Sequence, residues 1–217
     1  MSASPLALVT CGPGHEPIDS VRRITNFSTG ELGAHLCDAL LTAGYTVRCL
    51  RGEMATYPLS AGVESEVFTT NDSLSGLFEA ADPAPDIIFH AAALCDYILA
   101  KVEGVELSSK IRSDAEELRI TLRPAAKLLP TLPRLFPEAV IVGWKYELDG
   151  TREDAIARGR SQLVKAGTQA CVVNGSAYGT GFGFLQRHHD DVMHYGDKRE
   201  LCRALAEWGR ERLRESK

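Results

Sequence analysis

The sequence predicts an α/β protein: a doubly wound, Rossmann-like, mostly parallel sheet with one inserted excursion at about residues 94–123. Three observations predict it. Short apolar runs recur along the chain, among them Leu6–Cys11, Asp86–Ala91, Ala139–Trp144 and Ala170–Asn174. Each has the length of a strand buried on both faces, as parallel strands are. Segments with helical apolar spacing separate several of these runs, the rhythm of strand–helix–strand units. Glycines stand where those helices should stop, at Gly44 and Gly167.

In order, Leu6–Cys11 reads as a buried strand ended by the Gly12-Pro13-Gly14 turn. A loop leads to Asn26. Ser28 or Thr29 is a candidate N-cap for a helix to about Ala43, with Leu32, Leu36, Leu40 and Leu41 along one face. Tyr45–Leu50 and Val63–Phe68 are the next strands, and Asn71 or Asp72 can cap a helix through Ala81. Asp86–Ala91 is the fourth strand. The excursion follows, with an alternating strand at Glu117–Leu122. Lys127–Phe136 is a poor helix, interrupted by Pro130 and Pro133. After the strand Ala139–Trp144, Thr151 as N-cap and Asp154 three residues on open a helix to Ala166. Ala170–Asn174 is the last core strand, Gly175–Gly183 a loop, and His188–Tyr195 an edge strand. Asp197 caps a final helix with Leu201, Leu205 and Trp208 inward.

The 217 residues, 44% hydrophobic, suffice for a single α/β domain spanning 1–217. No run of 18 apolar residues suggests a membrane span. Met1–Pro5 lacks the basic and apolar regions of a secretory signal, so a cytoplasmic protein is expected. The six cysteines form no C-x-x-C pair and lie mostly in apolar segments, which suits reduced buried thiols better than disulfides or zinc. A formal net charge of -5 argues against a general nucleic-acid partner.

The stretch Arg22-Arg23-Ile24-Thr25-Asn26-Phe27-Ser28-Thr29-Gly30 concentrates polar donors just before a helix start. Free N–H groups and the positive dipole end make such a start an anion site. In a doubly wound sheet the strand ends carrying Gly12–Asp19, Ala91–Tyr97 and Gly143–Lys145 should meet at one crevice. Gly12-Pro13-Gly14-His15-Glu16-Pro17 is not a dinucleotide fingerprint, because Pro17 takes the third glycine's place. Tyr97 and Lys101 have the Y-x-x-x-K spacing of a short-chain NAD(P)-dependent reductase, which is one alternative reading. A non-catalytic nucleotide-binding relative is another. Lys110, Arg112, Lys127 and Lys145 are candidate phosphate cations against a background of solvated lysines. His188-His189 beside Asp190-Asp191 reads as solvated surface, since adjacent strand residues face opposite ways. Cys95 has no evident base beside it.

Gly12 to Gly30 resembles the signature G-G/P-T-x-E-P-I/L-D-x-V-R-x-I-S/T-N-x-S-S/T-G of the phosphopantothenoylcysteine synthetase family. The resemblance continues in order through Ala91-Ala92-Ala93-Leu94-Cys95-Asp96-Tyr97, Ser109-Lys110-Ile111-Arg112-Ser113, Val142-Gly143-Trp144-Lys145-Tyr146-Glu147 and Val172-Val173-Asn174. It departs at Gly14, where the family has Thr, at Trp144, where it has Phe, and at Val173, where it has Ala. The loop at Lys110 looks more like the ATP-type K-I-x-S than the bacterial CTP-type K-I-K-K. The lysines of the CTP type fall at Gln162 and Ala166 here.

The resemblance implies a ligase of coenzyme A biosynthesis, without a fused decarboxylase half, that joins 4′-phosphopantothenate to cysteine through an acyl-nucleotide. It implies CTP or ATP as co-substrate, Mg²⁺, and a homodimer in which the arm around Glu117–Leu122 completes the partner's pocket. Asn26 and Lys110 would be catalytic. Arg22, Asn26 and Ala93 would bind substrate. Gly12, Ser28, Thr29, Gly30 and Ala92 would bind nucleotide, as would Asp96, Lys110, Ala126, Lys127 and Leu128. Trp144 and Lys145 would contact it from the next strand, and Asp96 would also hold the metal.

Overall fold

The computed structural model describes residues 4–102, 110–111 and 116–215. In chain order the strands and helices are β1 (Leu6–Cys11), β2 (His15–Pro17), β3 (Arg23–Thr25), α1 (Glu31–Thr42), β4 (Thr46–Gly52), β5 (Glu64–Phe68), α2 (Asn71–Glu79) and β6 (Ile87–His90). Then come β7 (Tyr97–Val102), β8 (Ile120–Pro124), α3 (Leu132–Leu135), β9 (Val140–Tyr146), α4 (Arg152–Ala166), β10 (Ala170–Asn174), β11 (Phe182–Gln186), β12 (Val192–Tyr195) and α5 (Lys198–Glu215).

The main sheet has the order β12-β11-β10-β9-β6-β1-β4-β5. Strands β5, β4, β1, β6, β9 and β10 are mutually parallel, and β11 and β12 add on antiparallel at one edge. Read from β5 to β10, this is the doubly wound order with its reversal between β1 and β6, as the sequence predicts. Alternation along each strand feeds two cores. Ala7, Val9 and Cys11 point to one face with Val47, Phe89, Val142 and Val172, under Leu36 and Leu40 of α1 and Leu201, Leu205 and Trp208 of α5. Leu8, Leu50, Ile88 and Ile141 point to the other face, under Leu74 and Phe78 of α2 and Leu132 of α3. Helix α4 covers Cys171, Val173 and Leu185 on that side through Ala155 and Leu163. All six cysteines are reduced and buried.

The structure moves several predicted boundaries. Neither Ser28 nor Thr29 is the N-cap of α1. Gly30 is, at φ 80°, with no side-chain cap. A side chain at Gly30 would press on Ala55, 3.1 Å from the added Cβ, so the tight entry needs glycine. The cap of α2 is Thr70 rather than Asn71 or Asp72, because Thr70 and Ser73 satisfy each other's backbone N–H groups in a capping box. The capping box predicted at Thr151 and Asp154 is present, and Gly167 ends α4 at φ 73°.

The loop before Asn26 carries a small antiparallel hairpin, β2–β3. The excursion is a second two-stranded sheet, β7–β8, with its latter strand three residues later than expected and exposed along its length. Strand β11 replaces part of the predicted loop. Gly183 within it suggests a loop in sequence, yet a Cβ there would meet the buried Tyr178 ring at 2.6 Å. Arg112, Ser109 and Ser113 lie outside the described residues.

Candidate active site

The crevice forms where the carboxyl ends of β1 and β6 meet, at the point where strand order reverses. The two ends are knit together by backbone hydrogen bonds: Ala93 N–H donates to Gly12 (2.9 Å) and Gly14 N–H to Ala93 (3.1 Å). Ala92 N–H donates to Thr10 Oγ1 at 3.1 Å, and that hydroxyl lies 2.9 Å from His90 Nδ1. Burial lowers the His90 pKa to about 4, so the imidazole is neutral and serves as a structural hydrogen-bond partner.

Helix α1 begins at the same edge. Gly12 (φ 77°) and Gly30 (φ 80°) approach so closely that a Cβ on Gly30 would sit 3.5 Å from the Gly12 backbone. The first turn of α1 therefore opens beside the end of β1, the place where doubly wound proteins hold phosphate. Thr29 supports this turn: its Oγ1 accepts from Glu31 N–H at 3.3 Å, and its carbonyl accepts from Thr56 and Tyr57. The Glu31 carboxyl is held below its ordinary range chiefly by its hydrogen bond from Lys198, which carries part of its charge away from the helix start.

The β2–β3 hairpin delivers Asn26 to this edge. Thr25 Oγ1 donates to Gly14 (2.8 Å), and Asn26 Nδ2 donates to Leu94 (2.7 Å). That bond fixes the exposed amide against the end of β6. Cys95 is no nucleophile here: burial, followed by the charges of Glu16 and Asp96, pushes its thiol up, and its sulfur faces the Gly14 and Ile24 carbonyls.

Arg22 ion-pairs with Asp19 and donates to Ile111 (3.3 Å). Asp19 also accepts from Val21 (2.8 Å), Arg22 (2.7 Å) and Ile111 (3.0 Å) backbone N–H groups. Burial pushes this carboxyl up, but those N–H groups and the Arg22 guanidinium outweigh it and bring the pKa to about 2. The hairpin is thereby joined to Ile111, and the exposed Lys110 immediately precedes that fixed point.

Asp96 and Lys127 form an exposed ion pair, each side chain about 66% accessible. Ala126 is exposed beside them, whereas Leu128 turns its side chain into the core with Leu132 and Phe136. Among the described residues no cluster of three or more His, Cys, Asp or Glu side chains is placed to hold a metal. Asp96 fits Mg²⁺ only as a single carboxylate with phosphate oxygens completing the shell, a usual arrangement for that ion. At the end of β9, Trp144 packs partly against the core and Lys145 Nζ lies 2.9 Å from Glu147. Glu147 is shared with Arg158; burial raises its pKa, and the two cations more than compensate.

The structure thus brings Gly12, Asn26, Ser28, Thr29, Gly30, Ala92 and Ala93 to one edge. Asp96–Lys127 and Lys145–Glu147 stand further along it, each cation paired with an acid. Tyr97 and Lys101 lie on strand β7, with a register irregularity between them, rather than on a helix. The reductase pair needs one helical turn between its members, so that reading is withdrawn. Sequence reasoning missed Asp19 as an anchor, because the hairpin it stands in reads as a loop and its partner Ile111 is 92 residues away. It also missed Thr10–His90, whose pairing needs the β1–β6 register.

Residues 4–206 match the model of the DNA/pantothenate metabolism flavoprotein C-terminal domain. The chain belongs to this family. It is 31% identical over 167 residues to a coenzyme A biosynthesis bifunctional protein CoaBC from Methanocaldococcus jannaschii, an alignment covering 77% of this chain and 40% of that protein. The chain therefore spans under half the length of this relative. The fold is that of a DNA/pantothenate metabolism flavoprotein from Streptococcus pneumoniae, at TM-score 0.85 and 22% identity over 96% of this chain and all of that one. It is also that of a Cab2 mutant in complex with phosphopantothenate-cysteine, at TM-score 0.77 and 19% identity over 98% and 87% of the two chains. No helix among the described residues is long and apolar enough to cross a membrane.

Proposed function

We propose that this chain is a phosphopantothenate–cysteine ligase of coenzyme A biosynthesis, driven by CTP or ATP. The observation that carries this reading is Asn26, an amide anchored on Leu94 beside the start of α1 and the end of β1. Relatives named for coenzyme A biosynthesis support the pathway, and the neighbour bound to phosphopantothenate-cysteine supports the substrate class.

In the first step the carboxylate of 4′-phosphopantothenate attacks the nucleotide α-phosphorus, and pyrophosphate leaves. Two anions must be brought together, so cations and N–H donors have to converge. The first turn of α1 with Gly12 and Gly30 receives phosphate oxygens, and Lys110 closes from the excursion to offset the charge gained at phosphorus. Arg22 orients the substrate phosphate with its free guanidinium edge. Ala92, Lys127 and Trp144–Lys145 frame the nucleotide. Asp96, together with the triphosphate oxygens, would hold Mg²⁺, which when bound would add charge neutralisation.

In the second step the cysteine amine attacks the acyl carbon. The nucleoside monophosphate departs with the C–O bonding pair, and the amine loses a proton to give the amide. Asn26 stabilises the oxyanion that forms in between. The exposed β7–β8 sheet is the arm by which a second copy completes the pocket. Pyrophosphate release with phosphopantothenate, cysteine and each of CTP and ATP tests the proposal. Release that requires phosphopantothenate supports it, and none with either nucleotide would refute it.

A further inference from the structure

An ion pair joins the starts of α1 and α5. Lys198, the first residue of α5, donates to the carboxylate of Glu31, the first residue of α1, 167 positions away. We propose that Lys198 is a positioning residue for the nucleotide phosphates, which neutralises Glu31 and draws its carboxylate back from the open first turn of α1. The inference rests on the reading of that turn as a phosphate site. Glu31 is the acid of that turn, and α1 has no side-chain cap. An unpaired carboxylate there would compete with phosphate in two ways. It would repel a second anion, and it could accept from the same uncapped N–H groups. The structure opposes both. Lys198 takes Oε2, and His35, one turn further along the helix, stands 3.6 Å from Oε1. The carboxylate is therefore drawn along α1, away from its start. Tyr57 backs the His35 ring edge-on with centroids 5.2 Å apart, and its own N–H donates to the Thr29 carbonyl at 3.0 Å.

Lys198 is itself held in place. Asp197 Oδ1 accepts from the Arg199 and Glu200 N–H groups at 2.8 and 2.9 Å, and Glu200 Oε2 accepts from Gly196 N–H at 2.8 Å. The two acids of its own turn are thus engaged with backbone donors, and Lys198 reaches across to Glu31. Behind it Leu201 and Leu205 pack in one core with Leu36 and Leu40 of α1, so the two helix starts keep a fixed relation. The dipole of α5 disfavours a cation at its first residue. The pair with Glu31 gives the lysine a reason to stand there.

The test is calorimetric titration of the full chain with inorganic pyrophosphate, with competition by ATP or CTP to place it in the nucleotide site. Both side chains are partly exposed, so substitutions at them should fold normally. Lys198→Gln should weaken pyrophosphate binding about fivefold at low salt, the scale of one partly exposed charge at a helix end. The loss should shrink at high salt, which screens the freed carboxylate. Lys198→Arg should bind as wild type does. Lys198→Gln combined with Glu31→Gln should recover wild-type affinity, because the acid that Lys198 neutralises is gone. A pair that only docks the helices predicts the opposite, since the double variant also lacks the ion pair and would bind as weakly as Lys198→Gln. Undiminished binding in Lys198→Gln, a double variant as weak as the single, or an equal loss in Lys198→Arg would each overturn the inference and leave the phosphate site standing. Wild-type protein that binds no pyrophosphate, or binds it where neither nucleotide displaces it, would refute the phosphate reading of α1 and the inference with it.

Discussion

Asp19 and Ile111, 92 residues apart, are joined by a 3.0 Å hydrogen bond from the Ile111 backbone N–H to the Asp19 carboxylate. This bond ties the excursion, and with it Lys110, to the hairpin that carries Arg22 and Asn26. Asp19→Asn should loosen the tie, because an amide has one acceptor oxygen and presents N–H donors to backbone N–H groups. We expect the activation step to slow about tenfold, as misplaced groups do, with a smaller effect on nucleotide affinity. Single-turnover pyrophosphate release checks this, and a wild-type rate would refute it. The pH dependence follows from the lowered pKa of about 2. The folded state binds this proton less readily than the unfolded chain. The stabilisation is therefore complete above the ordinary Asp value near 4 and is lost as pH falls through about 2. Acid unfolding of Asp19→Asn should be less steep than that of wild type across this window.

Gly33 and Gly76 both lie inside helices, so replacement by Ala gains about 1 kcal/mol of helix propensity at either site. Packing decides the sign. A Cβ on Gly33 would stand 2.2 Å from Cys11 Cβ, whereas one on Gly76 would meet nothing within 4 Å. Gly33→Ala must push α1 off β1, at a cost of about 1–3 kcal/mol for overpacking, and should lower stability on balance. Gly76→Ala should raise it by about 0.4–1 kcal/mol. Urea unfolding of both variants measures the contrast, and a stabilised Gly33→Ala would contradict the close approach.

The centre of the sheet was legible because β1, β6, β9 and β10 are buried on both faces for most of their length and so appear as apolar runs; Leu8 and Val9 feed different cores yet look alike in sequence. Elements whose stability comes from partners were not legible. Strand β2 is three residues long and contains Pro17, and it exists through its pairing with β3. Strand β11 is hidden by Gly183, whose reason is the Tyr178 ring. The caps at Thr70 and Gly30 turned on backbone conformation rather than residue type, since Asn71 and Thr29 were equally eligible in sequence. At the site, the glycines could be read from their place before the helix, and Asn26 from the family signature that Gly12 to Gly30 resembles. The Asp19–Ile111 and Asn26–Leu94 bonds cross 92 and 68 positions, and no local pattern encodes them.

Asn26→Asp should preserve activation and slow ligation. The Asn26 amide is placed by its bond to Leu94 O at 2.7 Å. A carboxylate there loses that donor, meets a carbonyl oxygen instead, and repels the oxyanion of the second step. Loss of one oxyanion donor costs about 2–4 kcal/mol. Rapid-quench analysis should reveal accumulated acyl-nucleotide. Ligation at the wild-type rate would remove Asn26 from the mechanism.

ATP should be used at least as well as CTP. At one of the two positions where the CTP-type form has lysines on the helix before the last core strand, Gln162 donates from Nε2 to the Trp144 carbonyl at 3.1 Å and to the Cys171 sulfur. It is thus occupied with packing rather than offered to a base. Trp144 gives a broad aromatic surface, and base–aromatic stacking is worth about 1–3 kcal/mol for any base. A kcat/KM preference for CTP above about tenfold, or 1.4 kcal/mol, would overturn this expectation.

Lys110→Gln should reduce the activation rate far more than phosphopantothenate affinity. Lys110 is exposed, while its neighbour Ile111 is buried and bonded to Asp19 and Arg22. One residue from a fixed point, the flexible lysine stem has a limited arc. Negative charge at the reacting phosphorus is greatest in the transition state, so an ammonium there is worth more at that moment than in the ground state. Glutamine retains some hydrogen bonding and loses the unit charge. By analogy with lost oxyanion donors the rate should fall on the order of 10²–10³. Combining Lys110→Gln with Asp19→Asn separates charge from placement. If Asp19 acts only by placing Lys110, the double variant should be no slower than Lys110→Gln alone, since residues acting as a unit are not additive. Fully additive losses would show that Asp19 acts on the site by another route. A fall of less than about threefold for Lys110→Gln would mean that its ammonium does not reach the phosphate.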